Sequence, residues 1–395
     1  MNHDQAKECV WMPDNKKHHY VPQLYLRRFS DDGKSVPTFI IKSLKVIPNA
    51  PIKSQCYRDY FYGHEPDFER VLGIAEGRAS VIFKEIAENN QLSADPAVMF
   101  DLLLYVLAQH GRTSKEVERL NDMTNQYAKH IMRLWMEERG VDPDVVTVGI
   151  RDAAQFSTSM TLSLHPLLLD LDARLLLNNT DEDFIAGDDP VVEYNQFMTF
   201  RQYAPNHGYA SKGLQLFFPI DHRRTLMYFD GDTYGLPGQH NSTVVLTDRR
   251  DVYGLNTLQV CSAENAVYFK NVNQDVAAIY KRAGAYRDDR LNTFVAQPME
   301  DQGPFRGQTI TSSRVAQNTN LSLSFVRFRS AAKRWREDYL RMSKRGKLVP
   351  AVVVRNEQIL ADFKQFSKLV KAGTYHRMQF VEWLRERFKD MALQS

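Results

Sequence analysis

Between residues 66 and 140 apolar side chains recur every three or four positions. Phe68, Val71, Leu72, Ala75, Ala79, Ile82, Phe83 and Ile86 fall on one face of a first helix, and Pro66 suits its first turn, where the missing amide hydrogen costs nothing. Asp95 as N-cap and Pro96 at the first helical position open a second helix carrying Val98, Met99, Leu102, Leu103, Val106 and Leu107. Gly111 breaks or kinks it. The pattern resumes through Val117, Leu120, Met123, Tyr127, Ile131 and Leu134 and ends before Gly140. Together these segments predict a helical layer.

Elsewhere the texture is that of strands. Residues 38–42, bounded by Pro37, are rich in β-formers, and 57–62 have a similar look. Short apolar runs at 175–177, 184–186, 214–218, 225–229 and 243–246, separated by Gly, Pro, Asn and Asp, predict strands of one sheet. Helical sequence returns over 256–283. A polar stretch at 301–320 reads as a loop or linker. Two helices, around 357–371 and 374–391, close the chain, the last with Met378, Val381, Leu384, Phe388 and Met391 as its stripe.

Composition adds constraints. The 395 residues suffice for more than one domain, and 43% apolar with 25% charged residues is ordinary for a globular protein. Cys9, Cys56 and Cys261 are too scattered for a disulfide framework or a four-cysteine zinc site. The polar first twenty residues form no secretory signal, and the apolar run 98–108, interrupted by Asp101, is too short for a membrane span. The expectation is a cytoplasmic protein with no membrane partner. Net charge is only +3, but its placement is uneven. Residues 306–355 hold twelve Lys or Arg against the two acids Glu337 and Asp338. No P-loop, Gly-x-Ser-x-Gly elbow or dinucleotide glycine pattern occurs.

The segment His19-Tyr20-Val21-Pro22-Gln23, followed by Tyr25-Leu26 and Phe29, resembles the signature of the bacterial family called domain of unknown function 4238. Tyr62, Glu69 and Glu76 are similar to its aromatic and acidic positions, and Gln109 and Arg112 to its Gln and Arg pair. Residues 184–191 resemble its Phe-Ile-Thr-Ser-Asp-Asn-Pro-Val element, with Gly187 and Asp189 in place of the usual Ser and Asn. Phe218-Pro219 and Leu255-Asn256 resemble two further stations. Ser114 stands where a Pro often follows. The resemblance covers about residues 16–280; it implies a fold and a set of positions, and no settled activity.

Several residues carry candidate chemistry, each beside a plainer role. His18-His19-x-x-Pro22 superficially matches the opening of ββα-metal nucleases, in which one His is the general base, but Asn49 and His64 are poorly spaced as the further members. Alternatively His19 ties the chain start to the body by hydrogen bonds. Asp188 follows a predicted strand, where it could orient His19 or hold a divalent metal; equally, Asp-Asp-Pro is a turn sequence whose carboxylate caps its own backbone. Arg112 suits a phosphate or a carboxylate, or a structural ion pair. Among the C-terminal bases lie Phe325, Phe328, Trp335 and Tyr339, a mixture that can grip phosphates and stack on unpaired bases, or that can be a solvated helical face.

The fold expected is α+β: an N-terminal segment and helical layer on a mainly antiparallel sheet (16–285), then a basic, largely helical C-terminal extension (320–395). The function expected is a hydrolase-like effector on nucleic acid or a phosphate ester, with His19 as base, Asp188 orienting it or holding a metal, and Arg112 on the developing charge. Tyr20, Gln23, Gln109 and Asn256 are the candidate substrate contacts. Arg327, Arg329, Lys333, Arg334, Arg336, Lys344 and Arg345 are the candidate nucleic-acid contacts. The alternatives are a non-catalytic nucleic-acid-binding or regulatory protein and a small-molecule sensor.

Overall fold

The computed structural model describes residues 16–64, 66–201, 208–238, 243–288, 290–298, 308–315, 319, 321–345 and 352–386. The fold is α+β. Its centre is a five-stranded sheet of β5 (Asp172–Asn178), β7 (Val192–Tyr194), β8 (Gln215–Asp221), β9 (Arg224–Phe229) and β11 (Thr243–Leu246), in the order β11-β5-β9-β8-β7. Every pairing in it is antiparallel except β11 with β5. Side chains alternate across it. Phe218, Ile220, Leu226 and Tyr228 join one core cluster, while Phe217, Met227 and Phe229 join another, so both faces are covered.

On the first face lie α1 (Gln23–Leu26), α2 (Pro66–Asn89) and α3 (Pro96–Gly111), through Tyr25, Phe83, Leu102, Tyr105 and Val106. The Asp95 side chain accepts the Ala97 amide and caps α3, as its sequence predicts. α4 (Ser114–Glu137) and α5 (Ala153–Ser163) complete the helical layer. Gly111 ends α3 where it meets α5: a Cβ there would fall 2.7 Å from Thr161 Oγ1 and 2.9 Å from Thr158 Cα. On the second face α6 (Arg249–Ser262) packs with Leu321, Leu323, Val326 and α8 (Ser330–Lys344).

A second, four-stranded sheet orders β3 (Lys45–Pro51), β2 (Ser35–Ile40), β12 (Ala266–Tyr268) and β6 (Ala186–Gly187), and α7 (Val276–Ala283) with α6 covers it. Run 184–186 therefore leaves the sheet its neighbours form, and the helix expected over 256–283 is interrupted by β12. Small two-stranded pairings join β1 (Lys17–His19) to β4 (Tyr57–Asp59), β10 (Tyr234–Gly235) to β15 (Arg327–Phe328), and β13 (Asn292–Pro298) to β14 (Gln308–Arg314). The last hairpin enters the stretch expected to be a linker. α9 (Glu357–Lys371) is present as predicted and packs by Phe366 on Phe380 and Trp383. The outer part of the final helix, with Phe388 and Met391, lies outside the described residues. Among the described residues no helix is long and apolar enough to cross a membrane.

Candidate functional site

The opening signature is held from both ends. His18 and His19 pair with Arg58 and Tyr57 of β4, and the Tyr20 amide donates to Cys56 O at 2.8 Å. Pro22, extended at φ −65°, turns the chain into α1, and the Tyr25 hydroxyl donates to Pro219 O at 2.8 Å in the central sheet. Between these anchors His19 is fixed in one tautomer. Its Nδ1–H donates to Gln55 O at 2.9 Å, so Nε2 carries the lone pair and accepts from Gln23 Nε2 at 2.9 Å. Gln23 in turn accepts from Arg27 Nη2 at 3.2 Å. Burial pushes the His19 pKa below the ordinary 6.5, against the hydrogen bond to Gln55 and the charges of Glu76 and Glu69. The ring is neutral at neutral pH.

An open cavity of about 360 Å³ lies against this ring, lined also by Gln23, Arg27, Tyr62, Glu69 and Glu76. Glu69 and Glu76 are two turns apart on one face of α2. Glu69 Oε2 stands 3.5 Å from His18 Nε2, while His18 Nδ1 accepts the Tyr62 amide at 3.0 Å. Glu76 takes Arg112 Nη1 at 2.6 Å. The other two guanidinium nitrogens of Arg112 donate to Gln109 Oε1, at 3.0 and 2.8 Å, and Gln109 Nε2 donates to Tyr20 O at 3.0 Å. Arg112 is 1% exposed, so it braces the cavity wall from behind and does not itself line the cavity.

Asp188 is elsewhere. Its carboxylate accepts the amides of Glu264 (2.8 Å) and Asn265 (2.9 Å) and the Asn265 side chain, so it closes the turn between α6 and β12 and does not touch His19. Asp188 interacts with Tyr20, Cys56 and Tyr268 on the far side of the signature, and burial raises its pKa. Asn256 does not reach the cavity either. It accepts the Ile185 amide at 3.1 Å and donates to Asp183 O at 2.8 Å, and Gln259, one turn on, does the same for Gly187 and Pro190. The Tyr20 hydroxyl lies with the Cys56 group. Asn49 sits in β3 and His64 packs at a tilt on Tyr60, so neither joins His19 in a nuclease constellation. Among the described residues no three His, Cys, Asp or Glu side chains gather where they could hold a metal ion.

The model of the family described as "Protein of unknown function (DUF4238)" matches residues 17–273. The chain belongs to the DUF4238 family. No curated protein and no solved structure matches it. Within the matched residues the candidate positions fall into two groups. His19, Gln23, Tyr62, Glu69 and Glu76 line one cavity, with Gln109 and Arg112 behind it, whereas residues 184–191, Pro219 and Asn256 join backbone to backbone.

Residues 321–345 lie beyond the DUF4238 match. Trp335 and Phe328 pack on Phe197 with ring centroids 5.7 and 5.4 Å apart, and Tyr339 packs on Phe200 at 5.6 Å. These half-buried rings dock α8 on the body of the protein. Arg336 lies 4.8 Å over the Phe200 ring, and Arg329 Nε donates to Gly231 O and Tyr234 O, so both act in docking. Arg327, Lys333, Arg334, Lys344 and Arg345 remain exposed and pair with no acid among the described residues.

Sequence reasoning missed two polar groups, the first of them buried. One unites His110, Glu116, Arg119, Glu193 and Arg314, with Arg314 Nη2 at 2.7 Å from Glu116. The other joins Glu264 to Glu118, whose partners include Ser114 and Arg58. Local spacing marks only the pairs Glu116–Arg119 and Ser114–Glu118 on α4; the other members come from widely separated segments.

Proposed function

We propose that the His19 cavity is the active site of a hydrolase-like enzyme acting on a phosphate ester or nucleic acid. The observation that carries this reading is the gathering of His19, Gln23, Tyr62, Glu69 and Glu76, from three separate segments, around one open cavity with a neutral imidazole at its wall. A substrate displaces the Gln23 amide from Nε2, which then takes a proton from an attacking water and returns it to the departing oxygen. Arg27, exposed at the mouth, meets the phosphate. Arg112 and Gln109 are positioning residues that hold Glu76 and the signature backbone, and Asp188 has a structural part only. The exposed bases of α8 draw in a polyanion.

The test incubates the protein with labelled single- and double-stranded DNA and RNA and with a chromogenic phosphodiester, with and without Mg²⁺ or Mn²⁺. Turnover is expected to be lost in His19→Ala at unchanged thermal midpoint, and its acid limb to lie below pH 6.5 because burial depresses the imidazole pKa. Turnover untouched by His19→Ala defeats the reading. The second reading, a non-catalytic nucleic-acid-binding protein, is favoured by one feature: the carboxylates of Glu69 and Glu76 in the cavity wall repel a phosphate, whereas α8 does not. Binding without turnover decides for it.

A further inference from the structure

Away from the His19 cavity, a groove of about 650 Å³ runs between the first turns of α3, the segment entering β5 and the helical turn at 380–386. Its walls are Met99, Phe100, Leu103, Leu169 and Leu171, and Tyr228 of the central sheet also lines it. This volume lies in the range of small-molecule sites, about 300–1,000 Å³. Among the described residues lining the groove, Arg385 carries the one charge, and no acid accompanies it. Its guanidinium is exposed and unpaired among the described residues. The Tyr228 hydroxyl, though buried, has no hydrogen-bond partner among the described residues.

These features select a narrow ligand chemistry. Apolar walls favour methylene groups over anything polar along the trough, because moving a methylene out of water is favourable and moving an unpaired polar group is not. A single guanidinium at the rim favours an anionic end, and a carboxylate meets it with two parallel hydrogen bonds. A cationic or zwitterionic ligand has no partner there. We propose that the groove binds one acyl chain ending in a carboxylate, a free medium-chain fatty acid, with its tail along Met99, Phe100 and Leu103 and its head on Arg385.

Isothermal titration of the full-length protein with octanoate, decanoate and dodecanoate, each below its micelle concentration, and with decanol as the uncharged control tests this. Affinity is expected to rise roughly 3- to 4-fold per added methylene. Arg385→Gln should weaken decanoate by roughly 10-fold and leave decanol unchanged. Ala97 is exposed and lines the groove, so Ala97→Trp should abolish binding of both ligands without altering the thermal midpoint. Affinity indifferent to chain length overturns the proposal, as does an unchanged decanoate-to-decanol ratio in Arg385→Gln. Capture by anionic vesicles without binding of free decanoate overturns it in favour of a membrane surface. If binding appears only after deletion of residues 387–395, the chain's own end is the occupant and the proposal fails.

Discussion

At Gly187 the fold leaves no room for a side chain. A Cβ at this position would lie 2.9 Å from the Ala263 Cβ and 3.1 Å from Gln259 O, closer than side chains tolerate, and what would have to move is the backbone at the end of α6. Gly187→Ser is therefore expected to cost about 1–3 kcal/mol in urea denaturation, with no gain of chemistry from the hydroxyl. Asn256 makes a complementary case. Removing its amide leaves the buried Ile185 amide hydrogen and Asp183 carbonyl without this partner. Asn256→Ala should lose about 1–3 kcal/mol of stability while ligand binding at the His19 cavity is unaltered. A loss of binding at unchanged stability would instead return Asn256 to the role of substrate contact.

The junction between α4 and the turn after α6 is built on a shared proton. Burial, and then the hydrogen bond and charge of Glu118, push the Glu264 carboxyl up to about 7 from 4.5. Asp188 adds to the same push, while Arg58 and Ser114 hold Glu118 on the ionised side. Between pH 4.5 and 7 the folded chain holds a proton that the unfolded chain has released. The stability it contributes is complete below 4.5 and is lost as pH rises through 7. Glu264→Gln keeps the hydrogen bond without the titration, so its thermal midpoint should fall less than that of the parent protein between about pH 5 and 8; parallel curves would refute the shared proton. At this scale the sequence is readable where a pattern is local. The 3.6-residue period and the Asp95 cap place α2, α3 and α4, and short apolar runs between turn residues place β8 and β9. β13 and β14 escape such reading because polar Thr, Ser and Gln fill them and their partners are each other and α4.

For the molecule as a whole, the gathering of the signature positions is legible only in part. His19, Arg112 and Asp188 are each placed by strong local reasons, but which of them share a cavity depends on how β1, α2 and α3 are stacked, and the chain order contains no trace of that. Charge behaves in the same way. The excess of Lys and Arg in α8 is visible as composition, yet only docking on Phe197 and Phe200 separates the bases used in packing from those left outward. Lys333, Arg334 and Lys344 are in the second group, hold no part of the fold, and so can be reversed without destabilising it. With a labelled duplex, the triple change to Glu is expected to weaken binding steeply at low salt and to reduce the slope of log affinity against log salt by about 0.9 for each phosphate that the variant leaves un-neutralised. Arg336→Glu gives the internal control: it breaks the cation–π interaction with Phe200 and should lower the thermal midpoint as well. If the triple variant binds as the parent does, Lys333, Arg334 and Lys344 are solvated surface, and Arg27 at the His19 cavity is the next cation to reverse.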